Sequence, residues 1–143
     1  MFLPDVNVLL YAFRQDAPFH ATCKAWLDEQ VFGDAPLAIS PLTLNAVARI
    51  TTNKRSYANP STLSEVFAFC NALRERPNVE LVEPGDLHWS IFQRICFEDG
   101  ITGPMISDAW YAALAMEWNC ELVTTDRDFV RFPKLRWSRP PGL

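Results

Sequence analysis

The chain has 143 residues, 49% of them apolar and 21% charged, with a formal net charge of −4. That length suits one domain over residues 1–143, and the balance is that of a chain able to bury a core, which excludes intrinsic disorder and fibrous repeats. No apolar run approaches the about 20 residues needed to cross a bilayer, and Met1-Phe2-Leu3-Pro4-Asp5 lacks a basic signal region, so a soluble cytoplasmic protein is expected.

Phe2-Leu3-Pro4 reads as a buried first strand ending near Asp5, followed by a short helix through Tyr11 and Phe13. Asp16-Ala17-Pro18 is a turn, and apolar spacing from Phe19 to Val31 predicts a helix closed by Gly33. Leu37-Ala38-Ile39 is a second strand. Ser40-Pro41 then opens a helix as N-cap and first helical residue, with Leu44, Val47, Ala48 and Ile50 on its apolar stripe. A loop spans Asn53 to Asn59, and the next helix runs through Val66, Phe67, Phe69, Cys70 and Leu73 until Pro77. Val79 to Val82 alternates as a third strand, and Asp86 is the expected cap of a helix reaching about Glu98. Ser107-Asp108 is expected to open a strongly apolar helix to Trp118. Glu121 to Thr124 is a fourth strand with Asp126 just beyond it, and Leu135 to Trp137 an edge strand. Strands alternating with helices predict an α/β sandwich with a mainly parallel sheet of four or five strands.

Cys23, Cys70, Cys96 and Cys120 are too far apart for a CxxC-type metal or redox site, and all four are expected to be buried thiols. His20 and His88 have no close His or Cys companion and read as structural. The aromatic residues Trp89, Phe92, Phe97, Trp110 and Trp118 are expected in the core rather than as a base-stacking platform. Charge is uneven: residues 127–143 hold Arg127, Arg131, Lys134, Arg136 and Arg139 against Asp128 alone. A basic tail on an acidic body suits a polyanion gripped at its edge, and equally a solvated tail.

The chemistry points to aspartates. In open parallel sheets ligands bind beyond the carboxyl ends of the strands, near the point where strand order reverses. Asp5 and Asp126 fall at strand ends, and Asp108 falls in the first turn of a helix, where the helix dipole favours its charge. If the first and fourth strands are neighbours, the three carboxylates converge. Their mutual repulsion is then relieved by a hard divalent cation such as Mg²⁺, which takes one or two carboxylates and bridges to phosphate. GxGxxG, GKS/GKT and GxSxG motifs are missing, so nucleotide-loop and serine-hydrolase readings lack their residues.

Pro4-Asp5-Val6-Asn7-Val8-Leu9-Leu10, Ser107-Asp108-Ala109 with Ala112-Ala113-Leu114-Ala115, and Thr125-Asp126-Arg127-Asp128-Phe129 together resemble the PIN-domain ribonucleases, specifically the VapC toxins of bacterial toxin–antitoxin pairs. Thr51-Thr52-Asn53, Arg131-Phe132-Pro133 and Leu135-Arg136-Trp137 extend the resemblance over nearly the full length. It implies a PIN-like three-layer sandwich and Mg²⁺- or Mn²⁺-dependent endonucleolytic cleavage of RNA. Asp5, Asp108 and Asp126 would be catalytic and metal-holding, with Asn7 and Thr125 as polar neighbours and Asp128 as a further contributor or a turn cap. It also implies a homodimer and a small VapB-type antitoxin whose C-terminal segment covers the active site. The apolar first helices and the helix ending at Leu73 are candidate surfaces for such partners.

One departure stands out. The family usually carries a glutamate on the helix after the second strand, yet Ser40 to Ile50 contains no acid and Asn45 occupies about that place. An amide can offer a carbonyl to a metal or orient a water, but it supplies neither charge nor a base. Two expectations follow: an active endoribonuclease with a smaller acid cluster, or a PIN-like RNA- or protein-binding module with weakened or lost catalysis.

Overall fold

The computed structural model describes all 143 residues. In chain order the elements are β1 (Phe2–Pro4), α1 (Val6–Phe13), α2 (His20–Phe32), β2 (Leu37–Ile39), α3 (Pro41–Thr51), α4 (Leu63–Arg74), β3 (Val79–Leu81), α5 (His88–Asp99), α6 (Met105–Glu117), β4 (Glu121–Val123), a 3₁₀ turn (Arg127–Arg131) and β5 (Trp137–Ser138). The five strands form one parallel sheet in the order β3-β2-β1-β4-β5. From β1 the chain works outward through β2 to β3, then crosses back to β4 on the other side. The reversal point therefore lies between β1 and β4, paired Phe2 to Glu121, Leu3 to Leu122 and Pro4 to Val123.

Alternation along each strand divides the core into two layers. Leu37, Ile39 and Val123 face a cluster built from α1 to α4, including Val8, Leu9, Trp26, Val47 and Leu73. Leu3, Ala38 and Leu122 face the other way, onto Ile95 of α5, Ala109, Ala112 and Ala113 of α6, and Phe129 and Phe132. Helices thus cover both faces, as all-parallel sheets require. No helix is long and apolar enough to cross a membrane.

Several local expectations are corrected. Asp86 does not cap α5; its N-cap position is Leu87, with no side-chain cap of its own. The Glu117 carboxylate at the end of α6 instead holds the turn before α5, accepting from Gly85 N (2.9 Å) and Leu87 N (3.1 Å). A Cβ on Gly85 would come within 2.7 Å of that carboxylate, so glycine is what allows the approach. Helix α6 begins at Met105 rather than Ser107, which still leaves Asp108 in its first turn. The last strand is Trp137–Ser138 rather than Leu135–Trp137. Ser40 is the N-cap residue of α3 with Pro41 at the first helical position, but its hydroxyl makes no capping bond.

Cys23, Cys70 and Cys120 are buried, whereas Cys96 is only half-buried. Burial pushes the Cys23 thiol up to about 11, so it is an inert core group. His88 is buried with Nε2 3.0 Å from the Trp110 carbonyl, and His20 Nδ1 lies 2.8 Å from the Tyr11 carbonyl, both structural. The core expectation fails for three aromatics: Phe97 is 85% exposed, Trp89 59% and Trp118 40%. Nothing packs over the outer face of α5, so apolar periodicity there does not report burial.

At α4, Thr62 accepts from Glu65 N (3.1 Å) while its hydroxyl donates to the Glu65 carboxylate (3.0 Å), a local box that starts the helix without tertiary help. Thr62→Ala is expected to cost about 1 kcal/mol. Urea unfolding would measure it, and the pocket described next should be untouched because Thr62 does not line it.

Candidate active site

The chain end of β1 places Asp5 at the reversal point. Asp5 N donates to Val123 O (2.9 Å), extending the β1–β4 ladder by one bond beyond the strand. The Asp5 side chain then caps α1, accepting from Val6 N at 2.7 Å on Oδ1. Its Oδ2 accepts from the Thr124 hydroxyl (2.8 Å) and from the Asn7 amide (3.0 Å). Burial raises the Asp5 pKa, these hydrogen bonds oppose the rise, and the Asp126 carboxylate adds to it. A carboxylate offers about four lone-pair directions, and three are spoken for here.

Asp126 lies three residues past β4 and caps the 3₁₀ turn, its Oδ1 accepting from Asp128 N at 2.8 Å. Asp108, in the first turn of α6, has no hydrogen-bond or ion-pair partner. Its pKa is pushed up to about 6, first by burial and then by the charges of Asp126, Asp5 and Asp128. All three aspartates line one open pocket of about 820 Å³ between α1, α3 and α6.

Asn45 of α3 lines this pocket as well, so the position expected to hold an acid contributes an amide to its lining. Asn7 lines it and holds the β4 side together: its Oδ1 accepts from Thr125 N (3.1 Å), and its amide donates to Thr124 Oγ1 (3.1 Å). Thr125 contributes that backbone N–H, while the neighbouring Thr124, which sequence reasoning missed, supplies the hydroxyl. Thr124 Oγ1 donates to Asp5 and accepts from Asn7 and from Asp126 N (3.0 Å). Asp128 is exposed and does not line the pocket; it acts on Asp108 only through its charge.

The walls of the pocket were not anticipated either. Tyr11, Tyr57, Phe92, Ile106 and Trp110 are among its lining residues. Tyr57 is placed by Arg14, a buried guanidinium 4.0 Å from the Tyr57 ring centre. Arg14 also donates to Asp16 (2.8 Å), to Asn59 O (2.9 Å) and to Ser61 Oγ (3.1 Å), tying the end of α1 to the loop after α3. Arg49 of α3 is the one cation among the lining residues.

No three His, Cys, Asp or Glu side chains in the chain are close enough to form a preassembled cage. An open pocket with unpartnered oxygens on Asp108 and Asp126, and one lone pair left on Asp5, nevertheless fits a hard cation such as Mg²⁺, which keeps several waters and takes few carboxylates. The unpartnered, mutually repelling charge at Asp108 is the observation that such an ion would relieve.

The PIN-domain family profile matches residues 2–135. The chain is 40% identical over 141 residues to Ribonuclease VapC25 of Mycobacterium tuberculosis and 39% identical to Ribonuclease VapC31 of the same organism, each alignment covering 99% of both chains. Among solved structures it is similar to VapBC2 from Rickettsia felis bound to a promoter DNA fragment, with a TM-score of 0.70 at 16% identity over 96% of this chain and 97% of that one. It is also similar to Mycobacterium tuberculosis VapC20, described as a Sarcin-Ricin loop cleaving toxin, with a TM-score of 0.64 at 14% identity over 91% and 93%. At those identities the structural likenesses establish the fold.

Proposed function

The chain belongs to the PIN-domain family, among the VapC ribonucleases, and we propose that it is a toxin of this class: a divalent-metal-dependent endoribonuclease, cytoplasmic and held in check by a VapB-type antitoxin. The observation that carries the reading is that Asp5, Asp108 and Asp126 line one open pocket, with Asp5 and Asp126 just beyond the neighbouring strands β1 and β4. Full-length relatives named as ribonucleases support it from outside the site. Mg²⁺, or Mn²⁺ in its place, would be held by those three aspartates and would bring a Lewis acid to the phosphodiester.

The chain's own residues do the rest. Thr124 and Asn7 hold the Asp5 carboxylate in place at the pocket lining. Asp108 contributes a carboxylate with both oxygens free, and Asp126 one with Oδ2 free. In hydrolysis the oxygen of a water joins phosphorus, one ester P–O bond breaks and the proton leaves with solvent. The leaving strand takes up a proton in turn. Asn45 can orient a water but cannot accept its proton, so the base must come from the aspartates or from bulk water. Tyr11, Tyr57, Phe92 and Trp110 give the pocket aromatic lining beside the acids.

The VapBC complexes among the solved relatives support the antitoxin part of the proposal, as does an electronegative pocket able to receive a cationic side chain. We propose a homodimer on the same footing. Asn45 also favours a second reading, a binding module with little catalysis. One experiment separates the two: the purified protein, freed of antitoxin, is incubated with a structured RNA pool in Mg²⁺, in Mn²⁺ and in EDTA, beside Asp5→Asn. Defined products that need metal and vanish in the variant are expected. RNA that is bound yet uncut by folded protein would favour the module, and Asn45→Glu would then be the variant to gain activity.

A further inference from the structure

Arg49 is the only cation that lines the carboxylate pocket; other unpaired cations, such as Arg127 and Arg131, lie outside its lining. Arg14 is held by Asp16, Asn59 and Ser61, Arg76 by the Val31 carbonyl and the Phe32 ring, and Arg136 by Asn119. Lys24 and Lys134 are ion-paired. Arg49 is exposed, lines the carboxylate pocket and forms no ion pair with Asp5, Asp108 or Asp126, nor any hydrogen bond or ring contact. It lies four residues after Asn45 on α3, so both project from the same helical face along the pocket. At Tyr111, which also lines the pocket, burial raises the pKa, Thr43 lowers it, Asp5 raises it and Arg49 makes the smallest, lowering contribution.

A lone guanidinium beside three carboxylates that it does not neutralise is available to a different anion. We propose that Arg49 is a substrate-binding residue of this site, its guanidinium gripping the non-bridging oxygens of an RNA phosphate next to the one that is cut. This inference rests on the ribonuclease reading above. Guanidinium and phosphate match as a two-bond fork, and the pair is charge-assisted. The position is useful because a polyanion entering an acidic pocket meets repulsion from its floor, and a cation on the rim sets the register in which the strand can approach. The carboxylates stay free for the metal, since Arg49 reaches none of them.

The simpler role for Arg49 is that of a cation in the last turn of α3, complementing the helix dipole. The two roles respond differently to substitution. Wild type, Arg49→Ala and Arg49→Lys would be compared by binding of a fluorescein-labelled, mixed-sequence single-stranded oligoribonucleotide across a salt series in EDTA. Cleavage of the structured RNA pool in Mg²⁺ and the thermal midpoint would be read beside it. Arg49→Ala is expected to weaken binding about ten-fold or more and to lower kcat/KM in step. It should also flatten the slope of log affinity against log salt by about 0.7, the share of one phosphate contact on a single strand. Arg49→Lys should restore the slope but only part of the affinity, because a point charge lacks the fork. A cleaving enzyme whose affinity and salt slope are unmoved in Arg49→Ala, with only the midpoint lowered, would overturn the proposal and leave the ribonuclease reading standing. RNA left uncut by wild type but bound through an Arg49-dependent slope would overturn the ribonuclease reading and, with it, the placement of Arg49 beside a cut phosphate, leaving only a phosphate contact. Wild type that neither binds nor cuts RNA would end both.

Discussion

Asp108→Asn is expected to lower RNA cleavage by on the order of a hundredfold or more while leaving the fold intact, since it removes a carboxylate that would share a Lewis acid with the substrate. The same substitution is expected to raise thermal stability at neutral pH. Asp108 has no hydrogen-bond or ion-pair partner, and burial together with three neighbouring carboxylates pushes its pKa up to about 6 from an ordinary value of 3.8. A raised carboxylate pKa means that the folded state holds the proton more tightly than the unfolded state. The group therefore costs nothing below about pH 3.8 and costs progressively more stability as pH rises through 6. The stabilisation of Asp108→Asn over wild type should accordingly be present at pH 7 and vanish below pH 4, as read by thermal unfolding without metal. Equal midpoints at pH 7 would mean that Asp108 does not carry the strain assigned to it. Loss of activity with gain of stability in one variant is what distinguishes a functional carboxylate from a helix-capping one, because a cap would lose stability.

The pH dependence of activity follows from the same charge. Only the ionised Asp108 can hold a cation, so cleavage at low Mg²⁺ should fall as pH drops through about 6. Raising Mg²⁺ should move that midpoint downward, because metal and proton compete for one carboxylate. A midpoint that stays fixed over a wide Mg²⁺ range would separate the titrating group from the metal.

The positions of the strands along the chain and the two strand-end acids were legible because they depend on short-range information. Leu3, Leu37 to Ile39 and Leu122-Val123 are buried on both faces of a parallel sheet and read as brief apolar runs. Strand order was not legible from any residue, yet it turns Asp5 and Asp126 from two loop residues into one site, because β1 and β4 are neighbours. The misses share a cause. Glu117, far along the chain, holds the turn before α5, and no local pattern announces it where Asp86 offers an ordinary cap. Trp89 and Phe97 follow a helical pattern whose outward face nothing covers. Arg49 had a local signal, four residues from Asn45 on a helix, but its value depends on which face of α3 meets the pocket.

Thr124 shows how one hydroxyl can carry a site. It has one proton to donate and two lone pairs, and all three are used: it donates to Asp5 Oδ2 and accepts from the Asn7 amide and from Asp126 N. It is fully buried, so water cannot stand in for it. Thr124→Val keeps the shape and removes every one of these bonds, which strands Asp126 N and deprives the buried Asp5 carboxylate of the bond that most lowers its pKa. The expected cost is about 2–4 kcal/mol in urea unfolding at neutral pH. A further loss of about ten- to a hundredfold in metal-dependent cleavage is expected, as for other residues that orient a ligand without touching the metal. Thr124→Ser retains the hydroxyl and should recover most of the activity while still losing some stability from the missing methyl. The Asp5 pKa should rise in the valine variant and not in the serine one, so the valine variant should lose activity at a higher pH as solutions are made more acidic. If serine and valine behaved alike, the contribution of Thr124 would be packing. Full activity in the valine variant would mean that Asp5 needs no orientation from β4. The choice between Thr124 and Thr125 is made by the pleat: Leu122 and Val123 point to opposite faces of the sheet, and the residue that continues the ladder next to Asp5 is Thr124, whose N–H bonds Ser138 O at 3.0 Å. A strand one residue longer or shorter would have turned the other threonine inward.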